Sequence, residues 1–374
     1  MRPVEQQRDA VVQPPPSVAL PETFPLYRGG SLTGARIAYE SWGQLNAARD
    51  NAILLFTGLS PSAHAAASER DPSPGWWQKM IGPGCALDTR RFHVICVNSL
   101  GSCFGSTGPA SIDPSRGERH GLSFPEIAVE DIATAGLAAV RALGIRELYA
   151  VAGASLGGMV VAAFAALHPD GARRLISISG SPAASPFALA LRSVQREAIL
   201  RDPDWQGGNY APERPPRNGM RLARKLGTIT YRSATEWRQR FGREQISGNA
   251  LRASPFAPRF AVEGYLEAQA ERFTRVFDAN CYLYLSRAMD RFDLAEHGGS
   301  YAAALRACRA DRALVIGVES DMLFPIHEQA AIAEALVSAG VPTRFARLPS
   351  LEGHDAFLVD IPRFDAEIRA FLNS

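Results

Sequence analysis

The most constraining feature of the chain is the pentapeptide Gly-Ala-Ser-Leu-Gly at residues 153–157, which separates a strand-like run from a helix-like run. The apolar run before it covers residues 148–152, and the run after it covers residues 158–167. Glycines on both sides of a serine permit a sharp turn that lifts the hydroxyl above a sheet. The pattern predicts a nucleophile elbow, with Ser155 as nucleophile and the Leu156 amide as an oxyanion donor. A glycine-rich turn that only packs helix against sheet is the alternative.

An elbow serine needs a carboxylate and a histidine base, which follow it in that order along the chain. A buried strand is predicted at residues 313–318, and Asp321 follows it in a loop. Glu319 is the competing carboxylate, but the position in the loop favours Asp321. Another strand is predicted at residues 343–348, and the loop after it contains His354, the predicted base.

Chain order eliminates the other histidines as the base. Five of them precede the proposed acid, which is the wrong order for this arrangement: His64, His93, His120, His168 and His297. His327 lies in a predicted helix that begins at residue 325, and it is too close to Asp321 to reach back across a site. His354 alone fits.

Composition is typical of a large cytoplasmic enzyme. With 374 residues, of which 46% are hydrophobic and 21% charged, the chain can bury a full core and still hold an inserted subdomain. A formal net charge of +2 provides no global attraction to nucleic acid or to a membrane. No apolar segment approaches the ~20 residues of a membrane span, and the first residues lack the apolar centre of a signal peptide.

The five cysteines predict neither disulfides nor a metal site. They contain no Cys-x-x-Cys pair, and none is paired with a histidine at metal-ligand spacing. We therefore expect reduced thiols, in agreement with a cytoplasmic location.

The pattern of short apolar runs predicts an α/β core. Runs at residues 24–42 and 52–56 are typical of opening antiparallel strands. A strand at residues 92–97, a helix at 127–143 and a strand at 175–179 follow. Such alternation predicts a mainly parallel, doubly wound sheet with helices on both faces.

Two other parts of the chain differ in composition from this core. Residues 1–21 are polar and contain three consecutive prolines, which predicts a mobile or extended leader. Residues 182–300 are rich in Arg, Glu, Leu and Ala and have almost no strand signal, which predicts a helical lid over the carboxyl edge of the sheet. The core is then made of residues 22–181 and 301–374.

Two loops before the elbow are candidates for further chemistry. Residues 56–59 follow the strand whose loop supplies the second oxyanion donor, and the Phe56 amide is the predicted donor. Residues 98–109 form a long loop of small residues, for which a tight crossover is the alternative interpretation.

Four segments together resemble the homoserine O-acyltransferase family of α/β-hydrolase-fold enzymes: residues 98–109, residues 153–159, residues 218–224 with Tyr231, and residues 353–355. The similarity runs in order over nearly the whole chain after the leader. Residues 58–67, 74–77 and 98–103 most resemble the L-serine O-succinyltransferase branch. Homoserine-acetylating members have Val-Leu-Gly-Gly-Cys where this chain has Ser-Leu-Gly-Ser-Cys. The resemblance implies a homodimer joined through the lids and a place in cysteine biosynthesis.

A serine acceptor is a zwitterion, so its site needs a cation for the carboxylate and an anion for the ammonium group. Asp355, next to the predicted base, can supply the anion. The resemblance implies that Arg224 supplies the cation, with Tyr231 about two helical turns further on the same face. The alternatives are a solvated lid arginine and a loop-capping aspartate.

The acyl group sets a further requirement. Succinyl-CoA carries a terminal carboxylate, which in a closed site must meet a cation because an unpaired buried charge costs several kcal/mol. The resemblance implies that Arg192, at the start of the lid, has this role. Arg196 is the alternative and Arg224 a weaker one. Arg192 and Arg196 could instead form a solvated basic face of one helix.

The predicted reaction is a ping-pong transfer of succinyl from succinyl-CoA to L-serine, with no bound cofactor and no metal. One alternative is a homoserine O-acetyl- or O-succinyltransferase of methionine biosynthesis. Another is an esterase with the same three catalytic residues, because a fold does not determine a function. A non-catalytic binding protein is disfavoured by the complete set of Ser155, Asp321 and His354.

Overall fold

A computed structural model of the chain describes residues 15–246 and 256–374. The strands of this part are, in chain order, β1 Ser17–Ala19, β2 Thr23–Pro25, β3 Ser31–Thr33, β4 Arg36–Trp42, β5 Ala52–Phe56, β6 Ile81–Gly82, β7 Leu87–Asp88, β8 His93–Val97, β9 Ala150–Ala154, β10 Arg174–Ile178, β11 Arg312–Val318 and β12 Thr343–Leu348. Eight of them form one sheet, in the order β1-β4-β8-β5-β9-β10-β11-β12. This is the sheet of an α/β-hydrolase fold.

The sheet is parallel from β8 to β12, and only β1 and β4, at one edge, run antiparallel to their neighbours. The prediction that residues 52–56 open the sheet as an antiparallel strand is therefore wrong: β5 is central and parallel to both neighbours. All five of its side chains are buried because both faces of the sheet are covered. Leu54 and Phe56 lie in the core on one face, and Ile53 and Leu55 in the core on the other.

Helices cover both faces of the sheet. In chain order they are α1 Val129–Ala142, α2 Leu156–Leu167, α3 Pro186–Leu200, α4 Arg217–Thr230, α5 Ala234–Phe241, α6 Ala261–Thr274, α7 Ala279–Arg291, α8 Tyr301–Leu305, α9 Ile326–Ser338, α10 Ala356–Val359 and α11 Ile361–Asn373. Ile132 of α1, Val160 of α2 and Ile332 of α9 belong to one core. Phe364 and Ile368 of α11 belong to the other. None of the helices in the described ranges is long and apolar enough to cross a membrane.

The predicted leader extends too far into the chain. Strand β1 pairs with β4, with Ser17 opposite Ala38, and Leu20 is buried in the core. The sequence of β1 is only three residues long and gives no periodic signal, so its pairing with a strand about twenty residues later could not be predicted. Residues 1–14 lie outside the described residues.

Between β10 and β11 the chain forms helices α3 to α8. Helix α4 packs against α3 and α6, and α3 also packs against α7. Residues 247–255 of this stretch lie outside the described residues. The division of the chain at residues 181/182 and 300/301 stays a prediction.

Candidate active site

Ser155 occupies the turn between β9 and α2, with φ 59° and ψ −119°. A non-glycine residue is strained in this region, and such strain persists where the surrounding structure enforces it. The two positions that flank Ser155 must be glycine, because neighbouring backbone atoms lie too close to leave room for a side chain. A Cβ atom on Gly153 would lie 2.3 Å from the Gly157 carbonyl oxygen, and one on Gly157 would lie 2.6 Å from the Phe56 carbonyl oxygen. The turn is therefore a nucleophile elbow.

The structure brings Ser155, His354 and Asp321 into one hydrogen-bonded chain. The Ser155 hydroxyl oxygen lies 2.7 Å from His354 Nε2, and His354 Nδ1 lies 2.6 Å from Asp321 Oδ2. Asp321 Oδ1 accepts hydrogen bonds of 2.9 Å from two backbone amides, those of Leu323 and Phe324. These contacts fix the carboxylate, and the carboxylate fixes the imidazole with its Nδ1 proton toward the acid.

Glu319, the competing candidate for the acid, does not line the cavity that contains Ser155. Glu319 is about half exposed and pairs with Arg347 at 3.8 Å on the surface. Asp321, by contrast, is 4% exposed. Among the described residues, no histidine other than His354 lines the cavity that contains Ser155.

The pKa of His354 is raised above its ordinary value. Burial lowers this pKa, but it is outweighed by the charge of Asp321, the hydrogen bond to Asp321 and the charges of Asp355 and Glu328 together. The ring is surrounded by apolar edges, with the Phe324 ring at 5.1 Å and the Phe357 ring at 6.1 Å. Only the neutral imidazole accepts a proton, so the active fraction falls as pH falls through the raised pKa.

The Leu156 amide lies at the N-terminus of α2, directly after the nucleophile, whereas Phe56 does not line the cavity. Leu156 is the first residue of α2, where backbone N–H groups have no partner within the helix. Phe56 is the last residue of β5, paired with Gly153 of β9 and Val97 of β8, and its side chain is fully buried. The cavity is lined instead by the following residues Gly58 and Leu59, whose amides are the better candidates for the second donor.

Residues 98–109 serve as a crossover. The Thr107 amide donates to the Arg36 carbonyl at 2.9 Å, which closes this loop onto β4. None of these residues lines the Ser155 cavity. The structure therefore favours the alternative interpretation of this loop.

A cavity of about 120 Å³ holds Ser155 and His354 together with the predicted acceptor residues Arg224, Tyr231 and Asp355. The Arg224 guanidinium lies 5.6 Å from the centre of the Tyr231 ring and 4.6 Å from that of Phe273. Its Nε atom is buried without a hydrogen-bond partner in the described part of the chain. Arg224 is thus a half-buried cation in the cavity wall and not a fully solvated lid residue.

Arg192 lines the same cavity, and the prediction's alternative of a solvated basic face is wrong. Arg192 and Arg196 are 5% and 9% exposed, and both pair with Asp290 of α7. Arg196 also donates to the Ser286 hydroxyl and does not line the cavity. Two guanidinium groups share one carboxylate, so this cluster keeps a net positive charge beside the cavity. Arg192 Nη2 is buried without a hydrogen-bond partner among the described residues.

Sequence reasoning missed Arg232, which pairs with Asp355 at 3.2 Å. The pKa of the Asp355 carboxyl is raised by burial, and the charge of Arg232 is the largest of the effects that oppose this rise. The available signal was the position of Arg232 directly after Tyr231. Nothing in that pattern shows that the side chain faces a loop more than a hundred residues later in the sequence.

A family model described as alpha/beta hydrolase fold matches residues 51–361. A serine O-succinyltransferase of Litchfieldella anticariensis is 58% identical over 95% of this chain and 97% of its own length. A serine O-succinyltransferase of Stenotrophomonas maltophilia strain K279a is 54% identical over 95% of this chain and 96% of its own. These two relatives, which are similar to the chain over nearly its full length, have the same name.

Solved structures share the fold at lower identity. A homoserine O-acetyltransferase from Bacillus anthracis superimposes with a TM-score of 0.88 at 27% identity, over 97% of this chain and 98% of that one. Esterase E22 superimposes with a TM-score of 0.85 at 29% identity, over 96% and 99%. A transferase and an esterase share this architecture, so the residues that line the cavity must distinguish the two reactions.

Proposed function

The chain belongs to the α/β-hydrolase family and, within it, to the serine O-succinyltransferases, and on this premise we propose that Ser155 carries a succinyl group from succinyl-CoA to the hydroxyl of L-serine. The observation that supports this proposal is one cavity that holds the Ser155–His354 pair together with charged side chains of both signs. The product is O-succinyl-L-serine, for use in cysteine biosynthesis. Succinyl-CoA enters as a co-substrate, and the proposed reaction uses no bound cofactor.

The first half-reaction acylates the enzyme. His354 Nε2 accepts the hydroxyl proton of Ser155 as Oγ attacks the thioester carbonyl of succinyl-CoA. The amides of Leu156 and of residues 58–59 donate to the oxyanion. As the intermediate collapses, the C–S bond breaks and His354 gives the proton to the departing thiolate. CoA leaves, and the succinyl group remains on Ser155 as an ester.

The second half-reaction transfers the group. His354 takes the hydroxyl proton of bound L-serine, and the substrate oxygen attacks the succinyl ester. The bond to Ser155 Oγ then breaks, and His354 returns the proton to that oxygen. Water would give hydrolysis by the same steps, so the lid must exclude water while the acceptor is held.

Detection of the free thiol of CoA tests this function directly. With succinyl-CoA alone, we expect a burst of about one thiol per active site, followed by slow hydrolysis. Addition of L-serine should restore fast, continuous release. Fast release without any amino acid would indicate an esterase, and restoration by L-homoserine but not by L-serine would indicate the methionine-pathway alternative.

Removal of the acceptor charges is expected to weaken serine binding selectively. Arg224→Ala and Asp355→Ala should each raise the KM for L-serine about tenfold to 150-fold, because each removes a charge-assisted contact worth ~1.5 to 3 kcal/mol. The burst of CoA release should remain. Arg217→Ala is the matched control, since Arg217 is an exposed arginine of the same helix α4. A variant that loses the burst but binds serine normally would contradict the assigned role.

Arg192 is expected to select the acyl group, because its cluster has the net positive charge that a succinyl carboxylate needs. Arg192→Ala should lower the ratio of kcat/KM for succinyl-CoA over acetyl-CoA at least about tenfold, equivalent to ~1.4 kcal/mol, with serine saturating. Arg196→Ala is the comparison, since Arg196 shares Asp290 but does not line the cavity. An unchanged ratio for Arg192→Ala would remove Arg192 from this role.

We further propose that two copies associate through their lids, as the resemblance implies, and that the enzyme acts in the cytoplasm. Leu222 and Ile229, on helix α4 of the lid, are 59% and 43% exposed, which supports burial of this helix face against a second copy. The molar mass of the enzyme in solution tests the dimer.

A further inference from the structure

The end of helix α4 docks directly on the loop that carries His354. The Asp355 amide donates to the Tyr231 carbonyl at 3.0 Å, and the Ser233 hydroxyl donates to the Leu351 carbonyl. The backbones touch at Gly353, where a Cβ atom would lie 2.8 Å from the Ser233 nitrogen. The lid and the catalytic histidine loop are therefore in direct contact at residues 231–233 and 351–355.

One side chain at this contact, Arg232, bridges the two parts electrostatically. Its Nε lies 3.2 Å from Asp355 Oδ2, and its Nη1 lies 3.0 Å from Glu352 Oε2 on the same loop. Nη1 is also 3.6 Å from Glu236 Oε1 of α5. The Arg232 side chain is only 11% exposed, so solvent screens these pairs weakly. The Arg232 guanidinium donates to two residues of one loop. It therefore holds the loop in one orientation and also balances the negative charge of its carboxylates.

We propose that Arg232 is a positioning residue that holds the Asp355 carboxylate in place for the ammonium group of the acceptor. This inference rests on the proposed function, since it assumes a zwitterionic acceptor. Arg232 itself has no place in the cavity wall; it acts through Asp355, which lines the cavity.

The charges around Asp355 determine how the loss of Arg232 would change the protonation of this carboxyl. Arg232 and Arg224 face Asp355 from the lid, and the adjacent His354 lies on its own loop. Tyr231 also lies close to the carboxylate, but its pKa is raised, mainly by burial, so it is neutral near pH 7. Burial raises the pKa of Asp355, and Arg232 is the largest opposing influence. Without Arg232 the carboxyl retains its proton to a higher pH, and a protonated carboxyl cannot pair with an ammonium group.

Loss of Arg232 is expected to shift the pH dependence of serine binding to higher pH. Serine binding needs the ionised carboxylate, so the KM for serine rises as pH falls through the pKa of Asp355. Loss of Arg232 raises that pKa, and the rise in KM then begins at a higher pH. Acylation by succinyl-CoA does not involve the contact between Asp355 and the ammonium group of serine. The burst of CoA release should therefore keep its rate.

The test compares Arg232→Gln, Arg232→Lys and the control Arg240→Gln, measured between about pH 6 and pH 9. Arg240 is an exposed lid arginine that pairs with Glu236 at 3.5 Å but has no contact with the histidine loop among the described residues. For Arg232→Gln we expect the KM for L-serine at pH 7 to rise at least about tenfold, with the burst rate within about threefold of the wild type. The low-pH rise in KM should move to higher pH in this variant and should stay in place in Arg240→Gln.

Arg232→Lys restores the charge without the fork of donors, and we expect it to recover the wild-type pH midpoint and only part of the affinity for serine. If Arg232→Gln instead slows the burst and serine transfer equally, with no shift of the pH midpoint, Arg232 has a general structural role and the inference is wrong. If the glutamine variant does not fold, Arg232→Lys decides alone: wild-type serine affinity in this variant, or an equal slowing of the burst and of serine transfer, overturns the inference. Failure of the proposed function would be separate, because the wild type itself would then show no serine-dependent release.

Discussion

His354→Ala is expected to stop both half-reactions, with a loss of about 10⁶-fold in kcat. The imidazole is the group within hydrogen-bond distance of the Ser155 hydroxyl, at 2.7 Å, so the nucleophile loses its base in the first step. The same imidazole must take the proton of the acceptor hydroxyl in the second step. Both the burst of CoA release and the serine-dependent rate should therefore vanish in a thiol assay.

A control separates this effect from the loss of any histidine. His327 is exposed in the first turn of α9, and His327→Ala should keep kcat within about twofold of the wild type, as expected for a surface change. If His354→Ala kept a normal burst and lost only the transfer to serine, another base would have to act in acylation.

Ser155→Ala is expected to have a loss of the same size, about 10⁶-fold, since residues of a catalytic triad act as a unit and removal of either Ser or His disables it. The alanine has no oxygen to accept the acyl group, so no burst of CoA should appear at any concentration of succinyl-CoA. Thermal unfolding should change little, because the hydroxyl hydrogen-bonds only to His354 in the described structure. The measurements are stopped-flow thiol release and a melting curve.

Ser193→Ala is the matched control, because Ser193 is an exposed serine of helix α3 whose hydroxyl bonds only to a nearby carbonyl among the described residues. Its burst should equal that of the wild type. A burst that persists in Ser155→Ala would show that another residue accepts the succinyl group.

The triad could be predicted from the sequence because each member follows directly on a strand with a strong local signal. Strand β12, Thr343–Leu348, was predicted with the bounds that the structure has, and His354 lies in the next loop. The glycines around Ser155 need no long-range information, since their constraint is local to the turn. In a parallel sheet the carboxyl ends of the strands meet at one edge, so residues that follow different strands converge.

Features that depend on distant partners could not be predicted in the same way. The burial of Arg192 depends on Asp290, which lies 98 residues later in the chain. The contact of Arg232 with Asp355 spans 123 residues. A run of five apolar residues in β5 indicates burial but not whether the neighbouring strands run parallel.

The error at Phe56 has another physical cause. Strand pairing continues through this residue, so the turn that faces the cavity begins only after it, at residues 58–59. Element ends are the least reliable part of a prediction from pattern. A shift of two residues changes which backbone amide is free to donate.

The most direct test of the whole account is the mass of the peptide that carries Ser155, after incubation with succinyl-CoA without acceptor and rapid acid quenching. A two-step transfer stores the acyl group on the nucleophile. We predict one succinyl group on Ser155, which disappears when L-serine is added before the quench. A succinyl group found on another residue instead, or no adduct on any residue while transfer proceeds at its full rate, would contradict the account.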